Sequence, residues 1–269
     1  MTTATHAGTF KLGGQLEVRR LGFGAMRLTG NGIWGAPADR EEAGRVLHRA
    51  LELGINLIDT ADSYGPEVSE ELIAEALHPY PDDLVIATKG GFMRDGPGQW
   101  RPDCRPEHLK EACDGSLRRL KVDRIDLYQL HTVDSSVPYE ESVGAIRDLQ
   151  DEGKIHLAGV SNVNVDQLAT ARSIVDVSSV QNRYNLADRR SDDVLRQCEE
   201  DTIAFIPWAP LEAGRTEVPH EIAIAWLLQR SPVMLPIPGT SSVEHLDLNV
   251  RAAEVDEETL AETLSRIDS

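Results

Sequence analysis

Leu84-Val85-Ile86-Ala87-Thr88-Lys89-Gly90-Gly91 decides the fold. Leu84 to Ala87 form an apolar run without polar alternation. A strand of that kind has both faces covered, as in a parallel sheet under helices. An amphipathic, helix-like stretch follows at 105–120, and the same pairing recurs on either side. Toward the N terminus, the run 56–61 precedes a helical stretch at 69–77, and 21–26 precedes 40–53. Toward the C terminus, 125–131 precedes 139–152, 156–161 precedes 165–173, and 179–184 precedes 190–200. The series ends with 204–209 before 219–230 and 233–239 before 243–253. Gly54 and Gly153 fall just past the last turn of their helices, where a left-handed residue stops a helix.

Eight such units in roughly 250 residues predict a (β/α)8 TIM barrel. An open doubly wound sheet would also alternate, but it places a GxGxxG turn after its first strand. Here Leu21-Gly22-Phe23-Gly24-Ala25-Met26-Arg27 lacks the third glycine. Ahead of the barrel, Thr9-Phe10-Lys11-Leu12, a Gly13-Gly14 turn and Gln15-Leu16-Glu17-Val18 predict an N-terminal β-hairpin. A polar stretch at 256–267 predicts an extra C-terminal helix. No linker or low-complexity segment interrupts the pattern, so 1–269 reads as a single α/β barrel domain.

Composition narrows the function. The net charge of −18 argues against nucleic acid, which attracts clustered Lys and Arg. No apolar run reaches about 18 residues, so no membrane span is expected. The first residues carry neither a charged n-region nor an apolar h-region, so no secretory signal is expected either. Cys104, Cys113 and Cys198 show no metal-ligand spacing and read as reduced thiols of a cytoplasmic protein without a metal. Only five of the 27 basic residues are lysines, which makes a Lys inside an apolar strand conspicuous.

In such a barrel the active site lies at the C-terminal ends of the strands. The second strand delivers Asp59 there, with Tyr64 in the loop beyond. The third ends in Lys89 and the fourth in His131. Adjacent strands lie about 4.8 Å apart, so these four side chains can converge. The set suits carbonyl reduction, in which the carbonyl oxygen needs a proton. A phenol with pKa about 10 is a reluctant acid, and a nearby ammonium is expected to lower that value. Asp59 would hold Lys89 as an ion pair, and His131 would donate a hydrogen bond to the carbonyl oxygen. Trp34 and Trp100, with Phe92 and Met93, lie on loops expected to ring the mouth beside Tyr64 and His131. Loop aromatics there favour an apolar or planar substrate.

At this point the sequence resembles the aldo-keto reductase family over nearly its whole length. The resemblance is carried by Gly54-Ile55-Asn56-Leu57-Ile58-Asp59-Thr60-Ala61-Asp62-Ser63-Tyr64-Gly65, Ile86-Ala87-Thr88-Lys89 and Asp123-Arg124-Ile125-Asp126-Leu127-Tyr128-Gln129-Leu130-His131. Gly153-Lys154-Ile155, Gly159-Val160-Ser161-Asn162 and Gln181-Asn182-Arg183-Tyr184-Asn185 add to it. It implies an NADP(H)-dependent oxidoreductase whose Asp, Tyr, Lys, His tetrad falls on Asp59, Tyr64, Lys89 and His131. It also implies that Ser161, Asn162 and Gln181 orient the nicotinamide carboxamide and that Trp208 stacks on the ring. Gly24, Met26, Asp59, Pro210, Leu211, Gly239, Thr240, His245 and Asn249 complete the implied cofactor contacts, Asn249 reading the adenine.

Two features depart from that family pattern. Where many members carry a Lys and an Arg for the 2′-phosphate, this chain has Gly239 and His245, so NADPH is expected with NADH tolerated. Between Leu211 and Pro219 stand only Glu212-Ala213-Gly214-Arg215-Thr216-Glu217-Val218, a short cover that should let the dinucleotide leave quickly. Two alternatives stay open: a repurposed barrel that binds dinucleotide poorly, and a lyase using Lys89 as a Schiff-base amine. The identity of the small-molecule carbonyl substrate and the oligomeric state are not written in the sequence.

Overall fold

The computed structural model describes residues 2–211 and 218–267. The chain opens with the expected hairpin, β1 (Thr9–Leu12) paired antiparallel with β2 (Leu16–Arg19). Its turn needs glycine: Gly13 sits at φ +54°, and a Cβ there would come within 2.8 Å of Leu157. The hairpin plugs the floor of the barrel. Fully buried Leu12 and Val18 pack with Leu57, Val85, Leu127 and Leu235 in the barrel interior. Asn56 fastens the plug, accepting from Arg19 N–H at 2.7 Å and donating to the carbonyls of Glu17 and Asp83 at 3.0 Å each.

Next come β3 (Phe23–Gly24), β4 (Leu57–Asp59) and β5 (Val85–Gly90). A second hairpin follows, β6 (Phe92–Gly96) with β7 (Gln99–Pro102), where the sequence suggested only a loop. Then come β8 (Ile125–Leu130), β9 (Ile155–Ser161), β10 (Val177–Gln181) and β11 (Ala204–Phe205). The strands β3, β4, β5, β8, β9, β10 and β11 stand side by side in that order, all parallel. The helices are α1 (Arg40–Glu52), α2 (Val68–Leu77), α3 (Pro106–Leu120), α4 (Tyr139–Asp151) and α5 (Val165–Arg172), then α6 (Asp192–Asp201), α7 (His220–Arg230), α8 (Val243–Val250) and the added α9 (Glu257–Ile267). In α1, Asp39 caps the first turn by accepting from Glu42 N–H at 2.8 Å. Ala43, Val46, Leu47 and Ala50 form its buried stripe at helical spacing. Gly54 and Gly153 do end their helices, at φ +79° and +74°.

The eighth stave differs from expectation. The run 233–239 makes no regular ladder, because Pro236 and Pro238 have no N–H to give. It closes the barrel through single bonds instead: Phe205 N–H to Val233 O and Leu235 N–H to Phe205 O on one side, both 2.8 Å, and Gly22 N–H to Pro236 O at 3.0 Å on the other. The first and seventh strands are also shorter than expected. Residues Ala25–Leu28 coil into a 3-10 turn, and Pro207 together with Ala209 at φ +52° bends the chain after β11. Beyond this seam the backbones pass very close. A Cβ on Gly24 would stand 2.7 Å from Ile237 O, and one on Gly239 would stand 2.5 Å from Gly24 O. With no slack in either backbone, Gly24→Ala should lower cofactor-free stability by about 1–3 kcal/mol. Urea unfolding monitored by circular dichroism measures it, and an unchanged midpoint would contradict the close seam.

Candidate active site

Strand alternation builds the rim. In β5, Thr88 faces outward and Lys89 faces the barrel axis. The outward Thr88 hydroxyl donates to Glu70 of α2 at 2.5 Å, and Arg119 of α3 donates to the same buried carboxylate at 2.7 Å. That anchor holds the top of β5 while Lys89 crosses toward β4. The Lys89 Nζ lies 2.6 Å from Asp59 Oδ2, 2.7 Å from Thr60 O and 3.4 Å from Tyr64 Oη. Lys89 is 0 % exposed and Asp59 2 %, so the pair is removed from water. The other oxygen of Asp59 accepts from Gln181 Nε2 at 2.7 Å and Gln129 Nε2 at 3.4 Å. All four proposed catalytic side chains thus stand at one end of the barrel. Tyr64 and His131 meet edge to face, with ring centroids 5.8 Å apart.

The charge states follow from burial and neighbours. Burial alone would push the Lys89 ammonium down, but Asp59 and then Tyr64 more than offset it and leave its pKa above the usual lysine value. The expectation that Lys89 lowers the phenol's pKa overall does not hold. Burial outweighs the ammonium, and Tyr64 sits above its ordinary value, still protonated at neutral pH. His131 is pushed well below the usual imidazole range, first by burial and then by the Lys89 charge, so it is neutral. Its Nδ1 lies 3.4 Å from Ser63 Oγ.

Sequence reasoning missed several supporting residues. Asp62 is buried, its carboxyl pushed up to about 8, first by burial and then by the Glu70 charge. Its Oδ1 has no hydrogen-bond partner among the described residues. Glu70, Thr88 and Arg119 brace the tetrad from outside, and Arg94 of β6 lies buried at the mouth. Charged residues inside a helix or hairpin pattern look like solvated faces in sequence, and only packing distinguishes them. Aromatic side chains gather beside Tyr64 and His131. Trp100 stands edge to face with Tyr64 at 6.3 Å, with Phe92 at 5.5 Å and with His131 at 6.4 Å.

The residues assigned to the dinucleotide by resemblance lie farther round the same rim. Ser161 Oγ donates to Gln181 O at 2.6 Å, and Asn162, left-handed at φ +59°, donates to His131 O at 3.0 Å. Trp208 Nε1 donates to Asn162 Oδ1 at 2.9 Å, which fixes the half-buried indole against the polar trio. Gly24 lies against Ile237 and Gly239 at the seam, and Met26, half-buried, opens the turn beside them. Pro210, Leu211 and Thr240 are buried, and His245 is exposed near the start of α8. Asn249 on α8 is 1 % exposed, and its Oδ1 has no partner among the described residues. At the start of α8, Val243 N–H donates to Glu42 Oε1 at 3.3 Å, placing a carboxylate by that helix end. The short connection after Leu211 falls, at 212–217, outside the described residues. All three cysteines are buried and free, their thiols pushed up to about 12 by burial. Among the described residues, no His, Cys, Asp and Glu cluster could hold a metal ion, and no helix is long and apolar enough to cross a membrane.

A parallel barrel with a buried Lys–Asp pair against a Tyr and a neutral His at its C-terminal rim defines a barrel oxidoreductase. The chain belongs to the aldo/keto reductase family, whose family model matches residues 20–217 and 215–269. It is 48% identical to an uncharacterized oxidoreductase of Schizosaccharomyces pombe, over 98% of this chain and 90% of that one. It is 41% identical to pyridoxine 4-dehydrogenase of Escherichia coli, over 97% and 98% of the two chains. Among solved structures, it superposes on glycerol dehydrogenase from Gluconobacter oxydans with a TM-score of 0.85 at 26% identity, covering 97% of this chain and 96% of that one. It matches an aldo/keto reductase from Klebsiella pneumoniae, in complex with NADP and acetate, with a TM-score of 0.78 at 27% identity, covering 96% and 94%.

Two stability measurements test this electrostatic account. Asp59→Asn strands a buried ammonium and should cost about 3–5 kcal/mol in denaturant unfolding. Equal stability of the variant and the wild type would mean that the pair is not buried. Asp62 binds its proton more tightly when folded, so wild-type stability should fall as pH rises from the unfolded value of about 3.9 toward about 8. Asp62→Asn, which has no charge to bury, should flatten that part of the stability–pH curve.

Proposed function

We propose that this chain is a one-domain enzyme reducing an aldehyde or ketone to an alcohol with NADPH, NADH being accepted, and with Tyr64 as the proton donor. The observation that carries this reading is the Lys89 ammonium, held at 2.6 Å by Asp59 and reaching Tyr64 Oη at 3.4 Å. The nicotinamide cofactor, when bound, supplies the hydride. The protonated Tyr64 gives its hydrogen to the carbonyl oxygen, and the neighbouring ammonium stabilises the phenolate left behind. Asp59, 2.6 Å from the ammonium, holds the cation in place for each turnover. His131 is neutral, its Nδ1 facing the Ser63 hydroxyl at 3.4 Å, and in the tautomer with its proton on Nε2 it donates to the same oxygen as charge builds there. A lysine kept charged is a poor Schiff-base nucleophile, which speaks against a lyase.

The residues present fit a dinucleotide. A buried amide oxygen on Asn249 lacks a donor among the described residues, and an adenine amino group supplies one. Ser161, Asn162 and Gln181 would hold the carboxamide, and Trp208 would offer its face to the ring. NADP in the Klebsiella pneumoniae relative supports the phosphorylated cofactor. Glu42 at the start of α8, with no Lys or Arg at Gly239 and His245, supports only a modest preference for it. For the substrate, a planar aromatic aldehyde fits the Trp34, Phe92 and Trp100 mouth. The 41% identity to pyridoxine 4-dehydrogenase points the same way.

The experiment is a nicotinamide-oxidation assay with aromatic and aliphatic aldehydes. Wild type should turn over with NADPH and, somewhat less efficiently, with NADH. Tyr64→Phe should lose about 10²–10⁴-fold in kcat/KM while its cofactor affinity is retained. A Tyr64→Phe enzyme as fast as wild type would exclude the phenol as donor.

A further inference from the structure

Arg94 is a buried residue at the mouth that this chemistry leaves without a task. It sits in β6 opposite Trp100 of β7, is 8 % exposed, and makes no ion pair with a carboxylate among the described residues. Its N–H groups go to backbone carbonyls. Nε donates to Gln99 O at 2.9 Å across its own hairpin, Nη1 to Ile33 O and Ser63 O at 2.8 Å each, and Nη2 to Gly32 O at 2.9 Å. The guanidinium also lies 3.7 Å from the centroid of Trp100, with Trp34 at 5.8 Å.

Burying a cation costs solvation, and burial lowers the Arg94 pKa, so the interactions it makes must offset that loss. Four charge-assisted hydrogen bonds and an indole face do so. What the arrangement accomplishes is geometric. The four carbonyls belong to three rim segments: the loop after β3, the loop after β4 and the hairpin after β5. Two of them belong to successive left-handed residues, Gly32 at φ +70° and Ile33 at φ +57°. A β-branched residue rarely adopts that conformation, so the loop must be held from outside. Arg94 holds it from one side. From the other, Gly35 N–H bonds Gly65 O at 2.6 Å and Trp34 bridges to Gly65. The third carbonyl, that of Ser63, lies in the peptide joining Ser63 to Tyr64, and the Ser63 hydroxyl faces His131.

We propose that Arg94 is a positioning residue that sets substrate specificity. By tying the three rim segments together it fixes Trp34 and Trp100 as walls of a slot for planar aromatic aldehydes. It also holds the backbone that carries Tyr64. A lysine keeps the charge but not the planar fork and cannot reach the same set of carbonyls. The proposal rests on the reductase reading above.

The test compares wild type with Arg94→Lys and Arg94→Met, using 4-nitrobenzaldehyde and propanal as substrates. Cofactor affinity by fluorescence quenching and thermal midpoints are measured on the same proteins. Both variants should raise KM for the aromatic aldehyde at least about tenfold and change KM for propanal by less than about threefold. Cofactor affinity should stay within about twofold, since no cofactor-assigned residue is among the carbonyls that Arg94 holds. If Arg94→Lys keeps the wild-type KM, charge and not geometry is what matters, and the proposal is overturned. An equal rise in KM for both aldehydes overturns it too, because the effect is then not confined to an aromatic slot. Should either variant fail to fold, Trp100→Leu must show the same selective loss on the aromatic aldehyde, and its absence rejects the slot. A wild-type protein that reduces no aldehyde removes the reductase reading and this proposal together. An active wild type whose variants keep its selectivity removes the Arg94 assignment alone.

Discussion

One buried ion pair constrains the rest of this molecule. Lys89 and Asp59 are both withdrawn from water, and each would be costly there without the other. Their 2.6 Å contact requires β4 and β5 to stand adjacent, in parallel and in fixed register, with Asp59 beside Ala87 and Lys89 one inward position higher. The barrel supplies that register. Gln181 and Gln129 reach in from β10 and β8 to satisfy the remaining oxygen of Asp59, so the pair also gathers two further staves.

The same strand serves two purposes because successive side chains face opposite ways. Inward, Lys89 sets the charge felt by Tyr64 and His131. Outward, Thr88 locks onto Glu70, which Arg119 neutralises, so the helix layer braces the residue next to Lys89. Asp62 stands between these two charge systems, and Glu70 helps keep it protonated well above the usual carboxylate range. Burial, rather than the ammonium, dominates the phenol. The site therefore holds a protonated Tyr64 beside a charged Lys89.

Much of this was legible in the sequence. Apolar runs such as Leu84 to Ala87 announce strands covered on both faces, and the stripe on α1 with its Asp39 cap announces a helix lying on them. Because a barrel presents its active site at the C-terminal strand ends, Asp59, Tyr64, Lys89 and His131 could be selected by position alone. Irregularity was less legible. The prolines at 236 and 238 could be read, but not that the eighth stave would close the seam with isolated bonds to Phe205 and Gly22. The hairpin after β5 was hidden because Gly96-Pro97-Gly98 punctuates a loop as readily as a turn.

Local chain chemistry by itself determined the alternation of strand and helix, the two helix-ending glycines and the order in which the four rim residues arrive. Those depend on periodicity and on backbone freedom, which neighbouring residues dictate. Tertiary structure alone decided which charges are buried and what they touch. The net pKa direction of Tyr64, the protonated state of Asp62 and the grip of Arg94 on three separate loops all arise from desolvation and from groups distant in sequence. Solvent exclusion and through-space contact have no signature along a single chain.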